Sequence, residues 1–234
     1  MTTTTTTRMT ITTTTTEKLL LLMVWLSPAF PTGGFAYSHG IEQAIEDGDI
    51  VDEASFGDWL RDICAHGAAR SDAILLRHAW RAEDVDALAG VAELAASLAP
   101  GRERQAETLA QGAAFCLAAQ IWPCAALAGL QRHTDRIAYP VAVGALAKAH
   151  GIDQDAACAA FAQGFMANLI SAGVRLIPLG QTAGLRLLDG LKPAIMALVA
   201  ATRGAPLENI GSACWRADIA SLRHETQYTR LFRS

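Results

Sequence analysis

The residues with the clearest chemical potential lie in one short stretch. Ser38 is the centre of Ala-Tyr-Ser-His-Gly at residues 36–40, which fits the small-x-Ser-x-Gly pattern of a serine nucleophile on a sharp turn. Gly33 and Gly34 lie just upstream, where backbone N–H groups could stabilise an oxyanion. On a turn between a strand and a helix, Ser38 would be placed to attack an ester or a peptide bond.

The elements around Ser38 are not those that such a nucleophile requires. The turn must follow a strand of a parallel sheet, but Pro28 and Pro31 separate Ser38 from the preceding apolar run, and no alternating β-branched segment occurs elsewhere. A Gly/Pro turn with Ser38 near a helix start explains the stretch better. Gly-Gln-Thr-Ala-Gly at residues 180–184 is interpreted in the same way, as a turn before a helix. A small serine hydrolase using Ser38 is the alternative.

The histidine and cysteine spacings do not predict a metal site. Cys116 and Cys124 are too far apart for a Cys-x-x-Cys clasp, and no pair of histidines forms His-x-x-x-His. The histidines are His39, His66, His78, His133, His150 and His224. No Gly-x-x-x-x-Gly-Lys-Ser/Thr loop is present, so any GTP would be bound by another chain. We therefore expect no catalytic residues, no metal site and no cofactor bound by this chain itself.

The composition favours a helical protein of the cytoplasm. Of 234 residues, 51% are hydrophobic and 18% charged, which is ample for a core. The formal net charge of −4 argues against nucleic-acid binding, which normally needs a basic face. The five cysteines are odd in number and scattered, which is typical of reduced thiols rather than of a secreted disulfide framework.

The N-terminal region divides into a polar tail and an apolar run. Residues 1–16 are rich in threonine and predict a disordered tail. The run at residues 19–26 is far shorter than the roughly 20 residues that span a bilayer. A signal peptide is an alternative, but Glu17 lies where a basic region should be. We interpret the run as a buried core segment and expect no membrane association.

Residues 17–234 predict a single all-α domain, a multi-helix bundle. Apolar residues recur at three- and four-residue spacing, and Gly and Pro separate the segments. Ser55, Asp84 and Asp153 are the expected N-caps, and Gly151 the expected C-cap. The predicted helices cover residues 38–47, 55–64, 72–79, 84–98, 104–120, 140–150, 153–177, 182–188 and 193–202. After Gly204 the chain is expected to be polar and irregular.

Three stretches, at residues 26–42, 169–184 and 218–234, together resemble the urease accessory protein UreF family. The resemblance covers nearly everything from residue 19 onward. It implies an all-α fold and a homodimer that assembles with UreD (UreH in some organisms) and the GTPase UreG. That complex acts on the urease apoprotein and delivers nickel to its active site, with UreG supplying the nucleotide chemistry.

The sequence departs from the family pattern at two places. His39 stands where family members often carry Gln, so it is not assigned as a nickel ligand. Residues 116–136 match only loosely, and no site is assigned there.

The C-terminal segment, residues 205–234, is the expected partner-binding segment. It is locally basic in an acidic protein and holds apolar residues that a solvated tail has little reason to keep. A terminus packed back on its own domain is the alternative, but the family resemblance favours a segment that becomes ordered on binding UreD. The expected partner-binding residues are Arg223, His224, Glu225, Tyr228, Arg230 and Phe232. The expected structural turn or interface residues are Gly33, Gly34, Tyr37, Gly180, Gln181 and Thr182.

Overall fold

A computed structural model of the protein describes residues 15–234. The predicted tail therefore lies almost wholly outside the described residues, and its last two threonines begin the fold. Thr15 caps the first helix, where its side chain accepts a hydrogen bond from the N–H of Lys18, and Thr16 is the first helical residue.

The described residues form an all-α protein, as predicted. No strand occurs in residues 15–234, and short 3-10 turns link some of the helices. Within this range the α-helices are α1 (Thr16–Trp25), α2 (Ile41–Glu46), α3 (Glu53–His66), α4 (Ala68–Arg81), α5 (Val85–Ser97), α6 (Arg102–Ala118), α7 (Ala125–Leu130), α8 (Tyr139–Ala149), α9 (Gln154–Leu176), α10 (Gln181–Gly190), α11 (Lys192–Thr202) and α12 (Trp215–His224).

Most of the predicted caps are confirmed. Asp84 and Asp153 accept hydrogen bonds from backbone N–H groups at the starts of α5 and α9, and Gly151 follows α8 with a φ of 62°. The prediction for α3 was wrong by three residues. Asp52 is the N-cap, and Ser55 lies one turn inside the helix, where the two side chains form a reciprocal capping box.

The core is built around α4, α8 and α9. Helices α4 and α8 approach closely at Gly144, where an added Cβ would lie 2.3 Å from the Leu76 carbonyl oxygen. Helix α9 packs against α3, α4, α8, α10 and α11. Among the described residues it is the one helix long and apolar enough to cross a membrane, but half of its most apolar window is buried inside the protein. This burial is typical of a core helix.

A buried arginine ties α4 to α9 and α11. Arg77 has no solvent exposure. Its guanidinium donates to Thr202 Oγ1 at 3.0 Å and to the Val199 carbonyl at 2.7 Å, and it pairs with Asp155 at 2.7 Å. A buried charge is tolerated only when its donors are satisfied in this way.

Two expectations about the ends of the domain were wrong. Helix α1 was expected to be a buried core segment, yet only Leu22 and Trp25 are buried. Leu21 is half-buried against the core, and the four remaining apolar side chains are about half exposed or more, namely Leu19, Leu20, Met23 and Val24. The chain after Gly204 was expected to be irregular, yet it forms the regular helix α12 and then packs onto α2 and the turn before it.

Candidate functional site

Helix α12 has its large apolar side chains on the outside. Its buried residues are small or polar: Ala217, Ala220, Ser221 and His224. Trp215, Ile219 and Leu222 lie on the opposite face, because residues at i, i+4 and i+7 share one side of a helix. They are 71%, 53% and 48% exposed. We call these three residues the apolar stripe.

Two ion pairs connect one edge of α12 to the domain. Arg216 pairs with Asp49 at 2.5 Å, and Arg223 pairs with Asp47 at 2.7 Å, so both contacts reach the chain around the end of α2. Exposed pairs of this kind add little stability. Arg216 and Arg223 are seven residues apart, so both lie on the same edge of α12, beside the stripe, and the two pairs connect that edge to the domain.

The buried edge of α12 ends in a histidine between two carboxylates. His224 Nδ1 lies 2.7 Å from Glu103 Oε2, and Nε2 lies 3.4 Å from Glu42 Oε2. Arg230 donates to the other oxygen of Glu103 at 2.6 Å. Glu225 accepts from the Glu103 N–H at 3.3 Å, which draws the end of α12 onto the start of α6.

The last four residues, 231–234, form a segment that we call the clasp. The N–H groups of Leu231 and Phe232 donate to the two oxygens of Glu42, at 2.7 and 3.0 Å. Further along, the Arg233 N–H donates to the Ala36 carbonyl at 2.8 Å. The Phe232 ring is buried under the Arg175 guanidinium, which lies 4.6 Å from the ring centroid.

The three stretches that carry the family resemblance meet at this clasp. Arg175, from the second stretch, covers Phe232 of the third and donates to the Phe35 carbonyl of the first at 2.8 Å. Glu42, from the first stretch, holds the backbone of the third. The first stretch, which is more than 100 residues away from the other two in the sequence, thus forms one continuous site with them.

Five of the six expected partner-binding residues divide into two groups, and the sixth, Glu225, is half-buried at the start of α6. Arg223, Tyr228 and Arg230 are exposed, and Tyr228 has no neighbour covering it. His224 and Phe232 are buried, so they hold the segment onto the domain instead of facing a partner. The expectation of a segment without a fold of its own is therefore corrected: the segment is helical up to His224 and packed beyond it.

The sequence analysis pointed to apolar residues in this segment, Ile219 and Leu222 among them, but it missed the helical face that they form with Trp215. Its signal was present, because Trp215, Ile219 and Leu222 recur at helical spacing. The chain after Gly204 was interpreted as polar and irregular, so the helix from Trp215 to His224 was not predicted.

The expected turn residues have different roles. Gly33 has a φ of 74°, which favours glycine, and a Cβ on Gly34 would lie 2.8 Å from Asn168 Nδ2. Tyr37 is buried beside them. In contrast, the second group, Gly180, Gln181 and Thr182, lies exposed at the start of α10, and a Cβ on Gly180 would meet nothing within 4 Å.

Ser38 has a structural role. It is fully buried, and both its N–H and its hydroxyl donate to the main-chain oxygen of Ser234 at 2.6 Å. Its hydroxyl oxygen also accepts from the Glu42 N–H at 3.4 Å, as at a helix start. Within residues 15–234 no imidazole and no side-chain carboxylate is hydrogen-bonded to this hydroxyl and no strand supports it, so the nucleophile interpretation has no structural basis.

Behind the clasp lies a buried polar cluster of His39, Arg104 and Glu107. Arg104 Nη1 lies 2.9 Å from His39 Nε2, and Glu107 Oε1 lies 2.7 Å from the same nitrogen. Arg104 and Glu107 also pair directly, and the Ser234 hydroxyl donates to Glu107 at 2.8 Å. His39 has a φ of 55°, a left-handed conformation rare outside glycine.

Burial and Arg104 determine the charges in this cluster. Burial lowers the pKa of His39 from its ordinary 6.5, and Arg104 lowers it further against the opposing effect of Glu107. Burial alone would raise the pKa of Glu107, but Arg104 and smaller contacts with His39 and Ser234 hold it at about 2. A neutral imidazole can satisfy only one of these two contacts through Nε2: the nitrogen accepts from Arg104 in one tautomer and donates to Glu107 in the other.

The fold and the site define an all-helical protein with an exposed apolar surface on its last helix and no catalytic pair at Ser38. The UreF family model matches residues 50–192, more than half of the chain. The chain belongs to the UreF family of urease accessory proteins, which are not enzymes. This confirms the resemblance drawn from the three stretches.

Relatives named as urease accessory protein UreF match over nearly the whole chain. The protein of Bradyrhizobium sp. (strain BTAi1 / ATCC BAA-1182) is 51% identical over 216 residues, which cover 91% of this chain and 90% of the relative. That of Rhodopseudomonas palustris (strain BisB5) is 50% identical, with 91% and 89% covered. That of Methylorubrum populi (strain ATCC BAA-705 / NCIMB 13946 / BJ001) is 48% identical, with 91% and 97% covered.

The His39 cluster generates a stability prediction. A Gln at this position presents an oxygen to Arg104 and an NH₂ group to Glu107 at once, which neutral imidazole cannot do with one nitrogen. We expect His39→Gln to match or exceed the wild-type free energy of unfolding at pH 7. His39→Leu, which leaves Arg104 and Glu107 without this partner, should lose about 1–3 kcal/mol. Urea unfolding measures both.

The difference in stability between His39→Gln and the wild type should also depend on pH. The pKa of His39 is lowered in the folded state, so the unfolded chain binds a proton first as the pH falls below 6.5, and the wild type loses stability there. His39→Gln should lack this loss, so its advantage should grow between pH 7 and pH 5. Burial raises the pKa of Asp72 to about 6, so its titration also changes stability in this range, but by the same amount in both proteins. An advantage that shrinks on acidification would contradict the assignment of a neutral His39.

Proposed function

We propose that this protein is a scaffold and regulator in the maturation of urease. It docks UreD (UreH in some organisms) and, with the GTPase UreG, assembles on the urease apoprotein for nickel insertion. Membership of the UreF family supports the maturation role, and the apolar stripe on α12 supports docking. Burying alanines of α12 while exposing Trp215 and Ile219 does not stabilise the protein on its own, because the larger apolar side chains stay in water.

The chemistry of the stripe suits a protein partner. Tryptophan is among the residues enriched at energetic hot spots of interfaces, and contiguous exposed apolar groups mark interaction sites. The flanking arginines Arg216, Arg223 and Arg230 are already paired with Asp49, Asp47 and Glu103. A partner therefore meets an apolar centre with a polar rim whose charges are largely balanced within this chain.

We further infer that the protein acts in the cytoplasm and as a homodimer. All five cysteines are free, which suits a reducing compartment. The exposed apolar face of α1 is the surface that supports a dimer: Leu19, Leu22 and Met196 of α11 line a groove of about 380 Å³ there. We call the exposed residues Leu19, Leu20, Met23, Val24 and Met196 the α1 face. It is distinct from the apolar stripe, so self-association and partner docking do not compete for the same residues.

Docking is tested by placing a charge on the stripe. Ile219→Glu should reduce UreD capture at least about 30-fold, because it buries a carboxylate without a partner, and Trp215→Ala should reduce it about 10- to 30-fold. Both residues are exposed, so the melting temperature should stay close to that of the wild type. Leu117→Glu is the matched control, since Leu117 is an exposed apolar residue on α6. Wild-type capture of UreD by Ile219→Glu would refute this docking surface.

The homodimer is tested separately. Light scattering on a sizing column should give a dimer for the wild type and for Leu117→Glu, and a monomer for Met23→Glu combined with Met196→Glu. If the double variant stays dimeric, the α1 face is not the dimer interface. If the wild type is a monomer, the proposed homodimer is wrong.

Nickel and GTP are proposed to be handled by the partner complex. In the part of the chain that the structure describes, no group of three His, Cys, Asp or Glu residues is arranged to hold a metal ion. We expect the isolated protein to hold no nickel tightly and to hydrolyse no GTP. Equilibrium dialysis that finds one sub-micromolar nickel site per chain, or GTP turnover without UreG, would contradict this proposal.

A further inference from the structure

Two cysteines on neighbouring helices share one surface groove. Cys116 lies on the last turn of α6, and Cys124 is the N-cap of α7. Between them the chain makes a short 3-10 turn at Ala119–Ile121 and returns, so that both cysteines line a groove of about 380 Å³. Their spacing in the sequence does not fit a Cys-x-x-Cys motif, which is why the sequence predicted no metal site here.

Both cysteines of this groove are free thiols that lie close to each other. Burial raises the pKa of the Cys116 thiol to about 11, and the neighbouring Cys124 contributes to this rise. Burial also raises the pKa of Cys124, against the opposing effect of backbone N–H groups at the start of α7. The Cys124 sulfur accepts the Leu127 N–H at 3.5 Å and donates to the Ala145 carbonyl at 3.8 Å. Both side chains are therefore protonated at neutral pH, and the sulfur of Cys124 is held in place.

Access to solvent distinguishes this pair from a second pair in the core. Cys64 and Cys158 are also neighbours, since Cys158 adds to the effect of burial in raising the pKa of Cys64. Neither of them has any solvent exposure. In contrast, Cys116 is 5% exposed and Cys124 is half-buried, and both face the groove. An ion in solution can therefore reach the first pair without unfolding of the core, and it cannot reach the second.

The ligands available in the groove select the metal. Among the described residues that line it, none carries an imidazole or a carboxylate, and the polar ones besides the cysteines are Gln120 and Gln131. In residues 15–234 no third His, Cys, Asp or Glu completes a metal-binding group. Structural Zn²⁺ is held by four ligands, and Ni²⁺ favours imidazole nitrogen. Cu⁺ is soft, prefers thiolates and is satisfied by two of them in a linear arrangement.

We propose that Cys116 and Cys124 form a binding site for Cu⁺. On binding, each thiol releases its proton to solvent and each sulfur forms one bond to the ion, which stays Cu⁺. The bound form carries one negative charge, whereas two free thiolates would carry two, so a half-buried groove tolerates it better than deprotonation without the metal. The site shares no residue with the apolar stripe or the α1 face and does not depend on docking of UreD. It replaces the sequence expectation of no metal site, for copper and not for nickel.

Competition for Cu⁺ between the full chain and a chromogenic Cu⁺ chelator, without oxygen, is the first measurement. The wild type should take up one Cu⁺ per chain. Cys124→Ser should weaken the affinity at least about 100-fold, because one of two ligands is lost. Serine is itself a good N-cap, so the melting temperature of this variant without metal should match that of the wild type.

Cys64→Ala is the matched control for this competition. It removes one thiol of the inaccessible pair and should leave the uptake of Cu⁺ unchanged. Equal affinity in Cys124→Ser and the wild type, or no uptake by the wild type, would overturn the site.

The pH dependence of the affinity tests whether both thiols bind the same ion. The pKa of each thiol is raised above its ordinary 9.0, so two protons leave on binding at neutral pH. The affinity for Cu⁺ should therefore rise about 100-fold for each pH unit between about pH 6 and pH 8. In Cys116→Ala and in Cys124→Ser one thiol remains, and the rise should be about 10-fold. A rise of only about 10-fold in the wild type would show that one cysteine binds alone and would refute the pair.

Phenylarsine oxide tests the geometry of the pair without copper. Its arsenic bonds to two thiols that lie close together, and its oxygen leaves as water with the two thiol protons. The native wild type and Cys64→Ala should each retain one reagent per chain after gel filtration, measured by mass spectrometry. Cys116→Ala and Cys124→Ser should retain none. A native wild-type chain that retains no reagent would place the two sulfurs too far apart and would overturn the site.

Discussion

The carboxylate of Glu42 accepts two successive main-chain N–H groups, and much of the site depends on this interaction. It places Phe232 under Arg175 and brings Ser234 to Ser38, so that three stretches far apart in sequence form one continuous surface. Because the hydroxyl of Ser38 is used in this arrangement, a stretch with the pattern of a nucleophile serves instead as an anchor for the chain.

Buried polar groups give the molecule its specific arrangement of helices. Arg77 is satisfied by acceptors on α9 and α11, and Arg104 is satisfied by His39 and Glu107 behind the clasp. A fully satisfied buried network tolerates few alternative packings, because any shift leaves a charge without a partner. The hydrogen bonding of His39 is incomplete, because its Nε2 atom faces both the guanidinium of Arg104 and the carboxylate of Glu107.

The outer surface carries the features that suit an accessory protein. Two apolar surfaces, the stripe on α12 and the α1 face, are exposed on separate helices. Neither includes a residue of the buried cluster. This separation fits the proposed scaffold, which would contact a second copy and another protein at the same time.

The sequence by itself determined the all-α class, the family and the caps at Asp84, Asp153 and Gly151. These features are local, because a cap joins residues three or four apart and helical spacing shows within one segment. The tertiary structure alone decided which face of each helix is buried: α1 exposes Met23, and α12 buries Ala217 and exposes Trp215. That choice depends on partners over 100 residues away, such as Glu42 for Phe232, and helical periodicity contains no information about them.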